Sequence, residues 1–164
     1  MKHRVTIEIP FEAAHRLMNH PGKCQHLHGH SYRAFVVVGS EFLPPNGMVV
    51  DFGDLKSTIG WWVDSNWDHN ILLHWEDPLN KLYFNRGNVT VMQAQVDLSN
   101  EIFRGKMPHT FPDPPTAEVL AQALCVVARN ALKILLHHEH AKIISVTVHE
   151  TVKCSASYFP EIKK

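Results

Sequence analysis

Cysteine is scarce in this chain. Its 164 residues include only three, Cys24, Cys125 and Cys154, odd in number and far apart, which argues against a disulfide framework and for a reducing compartment. Net charge is missing too. Sixteen Lys+Arg balance sixteen Asp+Glu, so the basic surface that nucleic acid or anionic lipid requires is not there. No apolar run approaches the roughly 20 residues of a membrane span, and the N-terminus passes straight into a strand pattern without an apolar signal region. Repeats and low-complexity tracts are absent as well. These absences imply a cytoplasmic protein with a small-molecule partner, no nucleic acid and no membrane. The length and a 45% apolar content predict one domain over residues 1–164.

Histidine, by contrast, is plentiful at 13 residues. The densest stretch is Cys24-Gln25-His26-Leu27-His28-Gly29-His30, with Phe11-Glu12-Ala13-Ala14-His15 upstream. In an extended segment alternate side chains share a face, so His28 and His30 can chelate one ion across the small Gly29. Three neutral nitrogen ligands leave the fourth tetrahedral position of Zn2+ open, which suits catalysis. Structural sites usually recruit several thiolates, and here only one lies close by. An H-x-H pair also arises by chance in a histidine-rich chain.

The chain reads as strands at both ends and helices between. Val5, Ile7, Ile9 and Phe11 alternate with polar residues, and the same parity reaches His15. His28, His30, Tyr32, Ala34, Val36 and Val38 share the parity of a second strand, ending at the Pro44-Pro45-Asn46-Gly47 turn cluster. Leu55, Ile59 and Trp62 have helical spacing behind acidic Asp51 and Asp54. A second helix repeats Leu120, Leu124, Val127, Ala131 and Leu135 after Thr116, a natural N-cap. Ile144, Val146 and Val148 begin a third strand, and residues 155–159 a fourth. The predicted order is ββααββ. Residues 76–112 lack clean periodicity and read as an ordered insertion.

Two further groups carry chemistry. Glu150 continues the parity of Val146 and Val148, so its carboxylate is aimed at the apolar face, where an unpaired charge is costly. A cyclic guanidine edge, as in pterin or guanine, offers the two parallel donors that would satisfy it, and so would an internal Arg or Lys. In Asp68-His69 the acid can fix the imidazole tautomer and make a proton carrier, although adjacent side chains often point apart. Outside these groups, His137-His138-Glu139-His140 reads as a solvated helix end, Cys125 and Cys154 as buried or secondary thiols, and the four tryptophans as core and subunit contacts.

Taken together, Phe11 to His15, Cys24-x-x-x-His28-Gly29-His30, Gly47 to Lys56, Asp68-His69, Pro115-Thr116-x-Glu118 and His149-Glu150-Thr151 resemble, in content and order, the family of 6-pyruvoyl and 6-carboxy-tetrahydropterin synthases. The resemblance implies an α+β tunnelling fold: ββααββ subunits with an antiparallel sheet and two helices on one face. Trimers form a β-barrel and stack in pairs as a homohexamer, with active sites between subunits. It assigns zinc to His15, His28 and His30, catalysis to Cys24, Asp68 and His69, the pterin ring to Glu150, and the pocket edge to Thr116 and Glu118. His26 matches no ligand of the family. The implied substrate is 7,8-dihydroneopterin triphosphate. The expected product is 6-carboxy-5,6,7,8-tetrahydropterin, on a route to 7-deazapurines such as queuosine. The alternatives are 6-pyruvoyl tetrahydropterin or a zinc-stabilised module without catalysis. The family's usual Leu-Asn step after Asp-His is replaced here by Asn70-Ile71-Leu72-Leu73.

Overall fold

The computed structural model describes residues 1–80, 109–135 and 140–162. Two long strands dominate it. In β1 (His3–His15), Ile7, Ile9, Phe11, Ala13 and His15 are buried while their neighbours face out, as period-two patterning requires. β2 (His28–Ser40) pairs antiparallel to it along its whole length, from His3 opposite Ser40 to His15 opposite His28. Phe11 stacks on its cross-strand partner Tyr32 with centroids 4.9 Å apart and planes at 7°. Such a pair adds about 0.5–1.5 kcal/mol to simple burial. The turn after β2 closes through the Gly47 N–H donating to the Pro44 carbonyl, with Gly47 at φ +74°, a conformation that favours glycine.

The first helical region is interrupted. α1 (Phe52–Leu55), capped by the Asp51 carboxylate on the Gly53 N–H, runs through one π-helical stretch (Lys56–Gly60) into α2 (Trp61–Asn66). Within it the Thr58 hydroxyl donates to the Asp54 carbonyl at 2.6 Å, the kind of back-bonding that distorts a helix. Leu55, Ile59 and Trp62 are buried, as their spacing predicts. α3 (Ala117–Ile134) begins at Thr116, whose hydroxyl accepts from the Val119 N–H, and buries Leu120, Leu124, Val127 and Ala131. It packs on β5 (Lys142–Thr151), β6 (Cys154–Tyr158) and β2.

Two short strands correct the expected order. β3 (Asn70–His74) lies parallel to β1, and β4 (His109–Phe111) lies parallel to β3. The sheet is therefore mixed, in the order β4-β3-β1-β2-β5-β6, rather than antiparallel throughout. Five and three residues are too few for alternation to announce a strand, and β4 takes the end of the expected insertion into the sheet. The rest of that insertion, residues 81–108, lies outside the described residues, as do His137, His138 and Glu139. A second correction concerns β5. Its register shifts opposite Val37 and Val38, so Ile143 enters the core and Ile144 turns to the other face, over Gly39. Val146 and Val148 keep the predicted parity.

Candidate active site

The β1–β2 ladder brings the three histidines together. His15 ends β1 opposite His28, and His30 lies two residues further along β2, on the same helix-covered face. One ring nitrogen from each falls within 4.8 Å of the others. A Cβ at Gly29, between the two histidines of β2, would sit tightly against the Ala13 carbonyl at 3.3 Å.

Backbone carbonyls set the ring orientations. His15 Nδ1 donates to the Pro115 carbonyl at 2.7 Å, and His28 Nδ1 donates to the His26 carbonyl at 2.7 Å. In the neutral tautomers these bonds select, each Nε2 carries a lone pair, and the two Nε2 atoms are 3.1 Å apart. Two lone pairs facing each other repel unless a cation lies between them. His30 Nε2 is buried without any hydrogen-bond partner among the described residues, so the third donor also lacks an acid to bind. Burial, relieved in part by Pro115 and reinforced by the neighbouring imidazoles, lowers the His15 pKa to about 4. Burial likewise lowers that of His30, against the pull of the Glu150 carboxylate. Burial that favours the neutral forms of His15 and His30 suits a metal ion.

Of the other expected residues, Glu150 lies beside the histidines. Glu150 Oε1 is 4.0 Å from His15 Nε2, and its side chain remains 26% exposed, so the carboxylate borders the histidines and is reachable. The Thr116 hydroxyl is committed to capping α3, and Glu118 is exposed on its first turn. Cys24 occupies a single 3-10 turn, Lys23–Gln25, in the loop between the two histidine-bearing strands. It is half-buried, and its carbonyl accepts from the Leu17 N–H at 2.8 Å. The His26 side chain is exposed and outside the cluster, and the residue serves the site only through its carbonyl. Neither Pro115 nor His26 carries a signal for this part, since any residue has a carbonyl.

Asp68 and His69 do meet, on the other side of the sheet. His69 Nδ1 donates to Asp68 Oδ2 at 2.6 Å, which leaves Nε2 free, and the ring is 79% exposed. Both residues are gripped by one residue of β1. The Glu12 N–H donates to Asp68 Oδ1 at 2.7 Å and the Glu12 carbonyl accepts from the His69 N–H at 2.6 Å, holding His69 at φ +52°. Burial raises the Asp68 pKa, but these donors outweigh it and leave the carboxyl below its ordinary value. His69 borders an open cleft of about 440 Å3 lined mainly by the alternate parity, Glu12, Ala14, Gly29 and Ser31, together with Ala13 and His30. Within one chain, then, the metal-type cluster and the acid–base pair lie on opposite faces.

The remaining thiols differ from each other. Cys125 is buried, and burial raises its pKa to about 11, so it is inert. Cys154 is exposed on β6, so of the two expected positions, buried or secondary, the buried one does not hold for it. Trp62 and Trp67 are core residues, whereas Trp61 and Trp75 are exposed.

Comparison with known proteins places this arrangement. Over 110 residues the chain is 37% identical to 6-carboxy-5,6,7,8-tetrahydropterin synthase of Rickettsia typhi, covering 61% of this chain and 80% of that protein. It is 34% identical over 148 residues to the probable 6-carboxy-5,6,7,8-tetrahydropterin synthase of Halobacterium salinarum, covering 90% and 81%. Among solved structures, an uncharacterized protein from Wolinella succinogenes superposes with a TM-score of 0.73 at 23% identity, over 97% of this chain and 98% of that one. The 6-pyruvoyl tetrahydropterin synthase of Caenorhabditis elegans does so with 0.60 at 24% identity, over 97% of each chain. These structures show the tunnelling fold. The family model described as 6-pyruvoyl tetrahydropterin synthase matches residues 4–161, and with these relatives it establishes that the chain belongs to the 6-pyruvoyl tetrahydropterin synthase family.

Proposed function

We propose that the chain is a zinc-dependent 6-carboxy-5,6,7,8-tetrahydropterin synthase. It converts 7,8-dihydroneopterin triphosphate and water to 6-carboxy-5,6,7,8-tetrahydropterin, acetaldehyde and triphosphate, on the route to 7-deazapurines such as queuosine. The observation that carries this reading is the convergence of the lone pairs of His15, His28 and His30 in a chain whose curated relatives bear that enzyme's name. Zinc held by these three residues supplies Lewis acidity toward the side-chain hydroxyls of the substrate.

The chain's own groups divide the remaining work. His69 has its Nδ1–H committed to Asp68, so its Nε2 is the atom that takes a proton and returns it. Cys24, in the loop between the ligand-bearing strands, removes a side-chain proton as the thiolate. Glu150 accepts two N–H donors from the pterin ring, while Thr116 and Glu118 frame the pocket edge. Because the histidine cluster and the Asp68–His69 pair occupy opposite faces, a complete site forms between neighbouring chains. That requirement supports a trimer closed as a β-barrel and a homohexamer of two trimers. Three free cysteines suit a cytoplasmic location.

The test is mass analysis of the products formed by purified, zinc-loaded protein from dihydroneopterin triphosphate. The 6-carboxy product with acetaldehyde is expected. A 6-pyruvoyl product would move the chain to the other branch of the family, and pterin binding without turnover would make it a non-catalytic zinc module.

A further inference from the structure

The Arg16–Asp77 pair plays no part in the reading above. Arg16 directly follows His15, the last residue of β1, where the hydrogen-bonded ladder stops. Its Nε donates to Asp77 Oδ2 at 2.7 Å and its Nη2 to Asp77 Oδ1 at 2.5 Å, a bidentate ion pair. The Asp77 side chain is 0% exposed and that of Arg16 only 22%, so this is no screened surface contact. Asp77 Oδ1 also accepts from the Leu79 N–H at 2.8 Å, and three donors satisfy the buried carboxylate.

The turn that presents Asp77 is itself held rigid. The Asp77 N–H donates to the His74 carbonyl and the Asn80 N–H to the Asp77 carbonyl, both at 2.9 Å. The Asn80 side-chain amide donates to the carbonyls of His74 and Trp75 at 3.0 Å each. This turn leaves β3 just beyond Leu72, the parallel partner of His15. The chain therefore runs from the β3 neighbour of His15, through a fixed turn, to a guanidinium fork on the residue after His15. His15 is gripped on one side by the strand ladder and on the other by this ion pair, while Pro115 fixes its ring.

We propose that Arg16 and Asp77 are positioning residues for the metal centre, holding the end of β1 so that His15 meets His28 and His30 in ligand geometry. The inference rests on the zinc reading of the three histidines. A lysine at 16 keeps the charge but cannot reproduce the planar fork. Outer contacts of this kind change metal affinity by about 10- to 100-fold when removed.

The experiment measures zinc affinity by competition with a chromophoric chelator, in wild type, Arg16→Lys, Asp77→Asn and a control, Leu124→Ala. Leu124 is fully buried in α3 and belongs to neither the histidine cluster nor the ion pair, so its truncation destabilises the fold through a core cavity. All four are measured at a temperature where circular dichroism shows them folded. Zinc affinity about tenfold or more weaker in Arg16→Lys and Asp77→Asn, with the control near wild type, supports the proposal. Affinities within twofold of wild type in both overturn it, and so does an equal loss in the control, which would make zinc binding a mere reflection of global stability. Wild-type protein that takes up no zinc would refute the metal reading itself, a distinct result.

Discussion

The two faces of the sheet hold histidines in opposite conditions. On the helix-covered face His15 is 2% exposed, shifted toward the neutral form by burial, and locked by a carbonyl. On the open face His69 is 79% exposed and tied to a carboxylate. A metal ligand must be deprotonated and immobile, whereas a proton carrier must be reachable and free to change charge. Alternation along β1 supplies both environments within four residues, since the Glu12 backbone clamps the Asp68–His69 pair and His15 faces the other way.

The harshest way to break this comparison is to remove a ligand. His28→Ala and His30→Ala should each lose most of the metal, expected at about one zinc per chain by elemental analysis. His26→Ala should keep it, because only its carbonyl serves the site. Full zinc in the first two variants would sink the assignment. Cys24→Ala comes next: it should retain zinc and pterin but lose turnover by about a hundredfold or more, the scale of a general base. Near-normal turnover would leave His69 as the sole base.

The ring-reading role of Glu150 can be tested on binding alone. Glu150→Gln turns an acceptor oxygen into an NH2 group facing a donor, and pterin affinity by fluorescence titration should fall roughly a hundredfold with zinc unchanged. Unaltered affinity would remove the pterin-ring role from this carboxylate. On the open face Asp68→Asn should be milder, about tenfold in turnover, with an altered pH–rate profile because the His69 tautomer is no longer fixed.

The smallest expected effect concerns acid stability on the covered face. His109 lies on β4 against Trp62, Trp67 and Phe111, and burial lowers its pKa to about 4 from an ordinary 6.5. Between those values the unfolded chain binds the extra proton, so stability rises with pH across the window and is lost as pH falls from about 6.5 toward 4. His109→Phe should flatten that slope in urea titrations of metal-free protein at several pH values. An unchanged slope would show that His109 does not contribute to it.

Much of the fold was legible because burial on one face writes a period of two into strands and 3.6 into helices. The parity of β1 and β2, the Leu55–Ile59–Trp62 stripe and the Thr116 cap are all local patterns. Where a signal is not periodic the reading stopped. β3 and β4 are too short to repeat, and the register shift in β5 depends on how Val37 and Val38 meet it, which moves Ile144 off the core face. The exposure of Cys154 was not legible either, as nothing local reports which side of β6 is covered.

For the site, sequence alone offered His15, His28 and His30 as candidates that could act together. His28 and His30 share a face by spacing, and His15 falls on the apolar parity of its own strand. Tertiary structure decided everything that turns candidates into a centre. The pairing of His15 with His28, the Pro115 carbonyl 100 residues away, the Asp77 carboxylate 61 residues from Arg16 and the removal of the Asp68–His69 pair to the opposite face all depend on closing long loops. Loop closure is paid for by the packing of the whole sheet and its helices, and no local residue pattern encodes it.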